Sequence, residues 1–254
     1  VLGLTIDPQW MVAFLFATVR CGAWLSIAPP FQGAVPARVR GGLAVALGMA
    51  LAPRLAATGE LPTEDTWALV AGTAYQAAIG LALGFLVSVL FQAMSAAGGM
   101  IDAFGALTSA QLFDPLSKTS SGPMSRLYQL LGSMVLFATG GHLILIAGLV
   151  RTFDAAPVGG LRLDRLGQLL TRDVLQFLLA ALQIAAPVLV ALFVAEVLLG
   201  LATRAAPKLN IMIVGFGVKS LVLIMVTGAA LPLLPYVMHF LVRDALGLMQ
   251  ALTG

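Results

Sequence analysis

The sequence predicts an all-α integral membrane protein of about six kinked, broken hydrophobic helical segments. Three observations carry this. Residues of the set AVILMFWYC make up 60% of the 254 residues and charged residues only 10%, against about 25% in an ordinary soluble domain. Mean hydropathy is +1.00. The few charges divide the chain into six apolar runs rich in Ala, Leu, Val and Ile, without the alternating strands of about ten residues that a closed barrel needs. So little polar surface cannot cover a soluble domain, and lipid or partner protein must cover the remainder.

The runs follow in order. Asp7 to Arg38 encloses the first, interrupted by Arg20 and by Pro29-Pro30. The second, Gly41–Pro53, lies between Arg40 and Arg54 and falls short of the roughly 20 residues of a straight span. Asp65 to Asp102 encloses 36 residues without a charge. Arg126 to Arg151 encloses the fourth run, Asp173 to Arg204 the fifth, which contains Glu196, and Lys208 to Arg243 the sixth, which contains Lys219. The third and sixth are too long for one straight span. At about 1.5 Å per residue each would reach roughly 50 Å, and tilt absorbs only part of that. Breaks are therefore expected at Gly98-Gly99, Pro187, Gly215 and Gly217, and Pro232 with Pro235. Irregular backbone at membrane depth persists only where protein or a water-filled cavity surrounds it. The chain is thus expected to be stable mainly inside a helical multi-subunit assembly.

The cations do not orient the runs. Odd connections carry Arg38, Arg40, Lys118, Arg126, Arg204 and Lys208. Even connections and the tail carry Arg54, Arg151, Arg162, Arg165, Arg172 and Arg243, six against six. The net charge of +3 rests on few side chains and forms no basic cluster of the density that nucleic acid requires. The single cysteine, Cys21, excludes an intrachain disulfide. The start lacks a cationic n-region, so no cleaved signal peptide is expected. Two histidines, His142 and His239, accompany no metal-ligand cluster, no P-loop and no nucleophile elbow. The expectation is no enzyme, no cofactor and no metal.

Three features single out residues. Arg20, Glu196 and Lys219 are charges inside apolar runs, and such side chains face a partner helix, another subunit or an ion path. Gly80, Gly84 and Ser88 recur every four residues, the spacing that lets helices approach closely. Between Asp102 and Arg126 a long connection carries Leu107, Leu112, Phe113, Asp114 and Pro115. It reads either as a solvated loop or as an inward-folded plug whose apolar side chains exclude water from a pore, with Asp114-Pro115 holding its turn.

Several motifs in order resemble a known family: Ala28-Pro29-Pro30-Phe31; Val35-Pro36-Ala37-Arg38-Val39-Arg40-Gly41-Gly42; Gly80-Leu81-Ala82-Leu83-Gly84-Phe85; Ala97-Gly98-Gly99-Met100-Ile101-Asp102; Asp114-Pro115; Gly140-Gly141-His142; and Arg204-Ala205-Ala206-Pro207-Lys208-Leu209-Asn210 with Gly215-Phe216. The set, which covers essentially the whole chain, is similar to the FliR family of flagellar export proteins and its injectisome relatives, the SctT/SpaR family. It departs at Gly217, where the family usually has proline. The resemblance implies a non-enzymatic subunit of the type III export gate in the bacterial cytoplasmic (inner) membrane, at the flagellar basal body. It implies FliP and FliQ as partners, contacts with FlhB and FlhA, and unfolded flagellar proteins as cargo. It also implies a FliP-like portion over residues 1–165 and a FliQ-like helical hairpin over 166–254. The alternatives are an injectisome paralogue and a small-solute or ion transporter using Glu196 and Lys219. The transporter calls for inverted repeats, and the sequence has no convincing internal symmetry.

Overall fold

The computed structural model describes residues 7–32, 35–57, 61–63, 65–105, 122–155, 163–205 and 211–253. Helix α1 spans Pro8–Ile27, with Asp7 as its cap: the Asp7 carboxylate accepts from the Gln9 amide at 3.0 Å, and Pro8 occupies the first turn, where no amide is needed. A short helix α2 covers Pro29–Gln32, and α3 runs from Ala37 to Ala56. Helix α4 covers Thr66–Phe104, and Asp65 accepts from the Trp67 amide at its start. Then come α5 (Pro123–Ala138), α6 (Gly141–Ala155), α7 (Leu163–Ala205), α8 (Ile211–Ala230), a 3-10 turn over Leu231–Leu233, and α9 (Leu234–Thr253).

Five stretches of the described residues are long and apolar enough to cross a membrane, or six if α5 and α6 form one broken span. That matches the number of runs but not where they break. Helix α4 continues through Gly98-Gly99 for 39 residues, and α7 continues through Pro187 for 43, about 58 and 64 Å at helical rise. Gly215 and Gly217 lie within α8. Of the expected break points, only Pro232 coincides with a change, the 3-10 turn, and Pro235 falls in the first turn of α9. The physical reason is that one proline removes a single helical hydrogen bond, whereas ending a helix in apolar surroundings strands several backbone groups. The second run is also longer than expected. Helix α3 takes in Arg38 and Arg40 at one end and Arg54 at the other, because long cationic side chains at helix ends reach outward while their stems stay on apolar surface. One break was not foreseen: Gly140 adopts φ +72°, a left-handed conformation that ends α5 in the usual glycine manner.

The chain divides into two compact units: Val1–Leu90 with Gly140–Val174 and Val242–Gly254, and Phe91–Thr139 with Leu175–Leu241. Each unit draws on residues from both sides of position 165.

In the first unit, α1 lies between α3 and α4. It runs antiparallel to α3, with Gly48 against Thr18 and Gly22 against Ala44, and parallel to α4, with Gly72 on Phe16, Gly80 on the Arg20 backbone and Gly84 on Trp24. The glycines belong to one row of α4 spaced by four, 72–76–80–84–88, and Gln76 is its one long member. This is the ridge along which helices interdigitate. Helix α6 meets the end of α9, with Gly148 facing Leu246 and Met249.

In the second unit, Gly132 of α5 faces Met94 of α4 and Met238 of α9, and Gly215 of α8 faces Leu199 of α7. Burial is uneven. Of the most apolar window in each stretch, 56% is buried for α4, 39% for α1, 33% for α7, 28% for α3 and 22% for 214–251, so residues 214–251 depend most on surroundings outside the chain, followed by α3 and α7. The exposed apolar side chains of α7 and α8 include Phe193, Leu198, Leu201, Leu221, Ile224 and Met225.

Candidate functional site

The residues singled out by the sequence fall into four places. Leu107, Leu112, Phe113, Asp114 and Pro115 lie outside the described residues.

The described ends of that connection are tightly built. The Asp102 side chain, in the last turns of α4, is 1% exposed. Its two oxygens accept from the first free amides of α5, Met124 at 3.0 Å and Ser125 at 2.9 Å. The usual capping position is held by Gly122, which has no side chain to offer. A carboxylate from another helix thus replaces the local cap and places negative charge at the positive end of the helix dipole. Glycine at 122 is required, because a β-carbon there would collide with the Asp102 carboxylate. Gly98 is required for the same junction: a β-carbon would stand 2.5 Å from Ser125 Cα. The hydroxyl of Ser125 also donates to the Ser95 carbonyl at 2.9 Å and lies 2.8 Å from the Ser95 hydroxyl. The glycine pair that suggested a break in α4 is therefore a docking point for α5, and Asp102 is a positioning residue the sequence did not single out. The available signal was an aspartate one helical turn beyond Gly98, with Gly122-Pro123 opening the next helix.

Arg20 is fully buried at the α1–α4–α6 contact. Its Nε donates to Gln76 Oε1 at 2.7 Å and its Nη1 to the Thr152 carbonyl at 3.0 Å, while the guanidinium lies 4.3 Å from the centre of the Phe153 ring. Thr152 sits in the last turn of α6, where helical carbonyls lack amide partners and carry the negative end of the dipole. Arg20 therefore ties three helices of one unit together, with Gln76, Phe153 and a helix terminus among its partners.

Glu196 and Lys219 form an ion pair between α7 and α8. The Lys219 side chain is 16% exposed but that of Glu196 is 63% exposed. Glu196, expected to be buried, is thus an outward-facing carboxylate within the chain, flanked on α7 by exposed Phe193 and Val197. Gly80 and Gly84 lie against α1 at Arg20, Ala23, Trp24 and Ile27, and Ser88, next in the same row, is buried. No cluster of three or more His, Cys, Asp or Glu suited to a metal occurs among the described residues.

The arrangement is one of packing contacts, helix caps and paired charges on long apolar helices, and comparison with known proteins gives it a family. The Escherichia coli flagellar biosynthetic protein FliR is 34% identical over 234 residues, which is 91% of this chain and 89% of that protein. The FliR of Pectobacterium carotovorum is 30% identical over 89% of this chain and 87% of its own length. The Yersinia pestis Yop proteins translocation protein T is 26% identical over 72% of this chain and 70% of its own. Residues 11–245 match the profile of a family described as bacterial export proteins, family 1, and the chain belongs to that family.

Proposed function

We propose that the chain is a subunit of the flagellar type III export gate, acting as part of a closed channel through which unfolded flagellar proteins leave the cell. The observation that carries this is the similarity to FliR of Escherichia coli over nine-tenths of both chains. The flagellar assignment is favoured over an injectisome because the injectisome-type relatives align over less of the chain, 72% for the Yersinia protein and 58% for the Shigella flexneri surface presentation of antigens protein SpaR. The chain contributes structure and no catalysis. It sits in the cytoplasmic membrane at the basal body, joined to FliP and FliQ, touching FlhB and FlhA. Residues 1–165 act as the FliP-like portion and 166–254 as the FliQ-like hairpin.

Within that gate, Leu107, Leu112, Phe113, Asp114 and Pro115 form the plug. A channel wide enough for an unfolded chain has to be closed to ions when idle, and an apolar constriction does this by excluding water. Gly80, Gly84 and Ser88 hold α4 against α1. Arg20, Glu196 and Lys219 serve assembly, Arg20 through the helices it ties together and Glu196 through the face it shares with Lys219. The exposed apolar faces of α7 and α8 are covered by neighbouring subunits.

The test is replacement. A cell deprived of its own FliR and supplied with this chain should recover motility, and a tag on the chain should recover FliP and FliQ after mild detergent extraction. A chain that recovers injectisome subunits and leaves the cell immotile would overturn the flagellar assignment. A stable lone monomer that binds a small solute would overturn the gate itself.

A further inference from the structure

Three helices of the first unit change surface chemistry at the same two heights. Asp7 and Asp65 cap α1 and α4 by accepting from the Gln9 and Trp67 amides at 3.0 and 2.9 Å. Each cap is followed within three residues by a tryptophan, Trp10 and Trp67. The two helices run parallel, with Gly80 at Arg20 and Gly84 at Trp24, a register that sets both caps and both tryptophans at one end. Trp67 is 80% exposed, and Trp10 is partly exposed and stacks on Phe14. Helix α3 runs the other way. Its contacts, Gly48 at Thr18 and Gly22 at Ala44, bring Arg54, paired with Asp154, to the tryptophan end. The opposite end differs. There Arg40 donates to the Ser26 carbonyl at 3.4 Å, one residue before α1 ends. Arg38, two residues away, is exposed, and α4 presents exposed Phe85. Residues 8–59 contain no Asp or Glu, so α1 and α3 bring no carboxylate to the arginine end.

Between the two ends, every exposed position of the three helices is apolar or glycine. The large ones are Met11 and Leu15 on α1, Val45 and Met49 on α3, and Val70 and Leu81 on α4. The one charge these helices carry in between, Arg20, is fully buried. From Trp67 to Phe85 the chain rises roughly 27 Å, close to the hydrocarbon thickness of about 30 Å. Contact with another subunit sets no such spacing and does not call for matched rims on helices of opposite direction. A bilayer calls for both. Tryptophan settles at the headgroup level, and arginine reaches phosphate while its stem stays on hydrocarbon. Cations without carboxylates beside them in sequence complement an anionic headgroup.

We propose that the outward sides of α1, α3 and α4 are a lipid-facing surface of fixed depth. Trp10 and Trp67 lie in one headgroup layer, and Arg38 and Arg40 lie on anionic phospholipid headgroups in the other. The proposed gate covers α7 and α8 with neighbouring subunits; the lipid surface lies on other helices, and its contact with the bilayer does not depend on what the assembly exports.

The experiment is tryptophan quenching in the full chain with its accompanying subunits, reconstituted into vesicles of phosphatidylcholine and phosphatidylglycerol. Bromine is carried on the acyl chains either near the headgroup or near the bilayer centre, and iodide probes the water. The Trp67 signal is the difference between native protein and Trp67→Phe. It should fall several-fold more with shallow bromine than with deep bromine or iodide. In the Trp67→Phe background, Ala78→Trp, at an exposed position midway between the ends, should reverse the order of the two bromines. Phe85→Trp should be quenched about twofold more by brominated phosphatidylglycerol than by brominated phosphatidylcholine, a preference lost when Arg38→Gln and Arg40→Gln are added. Quenching of Trp67 by iodide and not by bromine would place it in water, and quenching by neither would place it beneath another protein. Either result would overturn the lipid surface, and native protein with Trp67→Phe decides this even where Ala78→Trp is poorly recovered. Equal quenching of Phe85→Trp by the two lipids would overturn the anionic headgroup contact.

Discussion

Arg20 Nε donates to Gln76 Oε1 at 2.7 Å in the middle of a row of small residues, so one long side chain from each of two closely packed helices fills the gap between glycines. The contact depends on both chemistries at once. Gly80 and Gly84 bring α4 onto α1, and Gln76 then receives the one cation that α1 buries. Removing Arg20 takes one donor each from Gln76 Oε1 and the Thr152 carbonyl, and a buried acceptor that loses its donor costs about 1–3 kcal/mol. Arg20→Ala should therefore sharply lower the amount of folded chain in membranes. Arg20→Lys should rescue it only partly, because an ammonium lacks the planar fork that reaches two acceptors and lies against Phe153. Full recovery with lysine would show that charge alone matters there.

Substitution of the row should hurt in proportion to the space each glycine leaves. A β-carbon at Gly80 would collide with the Arg20 carbonyl and the Ala23 side chain. Gly80→Ala should cost on the order of 1–3 kcal/mol by overpacking. Gly99→Ala on the same helix, where nothing lies within 4 Å, should be neutral or stabilising by about 0.5–1 kcal/mol. Thermal unfolding of the detergent-extracted chain with its partners compares the two. Equal effects would mean that α1 and α4 are not in close contact.

Asp102→Ala removes both caps of α5 and should destabilise by about 0.5–2 kcal/mol. Asp102→Asn keeps one acceptor and should fall between the two. Hydrogen exchange at the Met124 and Ser125 amides is the direct measure. Protection of both amides that persists in Asp102→Ala would contradict the cap.

Glu196 and Lys219 should behave differently in the chain and in the assembly. An exposed pair contributes about 0.2–1 kcal/mol to folding, so Glu196→Gln should leave the stability of the chain nearly unchanged. On the proposed assembly it should reduce the recovered complex, because the same carboxylate lies on an exposed apolar face that the proposal covers with a neighbour. The charge-exchanged double variant Glu196→Lys with Lys219→Glu should restore more complex than either single reversal. A double variant no better than its parents would mean that the two residues act on separate partners.

Replacing Leu112 and Phe113 with glycine should make membranes leaky to ions while the complex still assembles. Conductance and complex recovery have to be read on the same preparation. An assembled complex that stays tight would remove the plug and leave the segment a surface connection.

The sequence alone determined the class. With charged residues at 10%, long runs free of charge and no alternating strand pattern, membrane helices are what satisfies the backbone, so the helices and their approximate number followed from composition and spacing. It also marked small residues four apart at Gly80, Gly84 and Ser88, a spacing that permits close helix approach, and Gly80 and Gly84 lie against α1. Only the tertiary structure decided where the helices end and which polar groups meet. Glycine carries the same signal whether it breaks a helix or admits a neighbour: Gly140 turns the chain, whereas Gly98 stays helical because the α5 backbone rests on it. Partner choice is likewise non-local. Arg20 meets Gln76 and Thr152, and Asp102 caps a helix that begins about twenty residues later, pairings that arise when distant helices align and that local spacing does not encode. The buried Asp173 showed the same limit: along the sequence it bounds an apolar run, and only packing withdraws it from water.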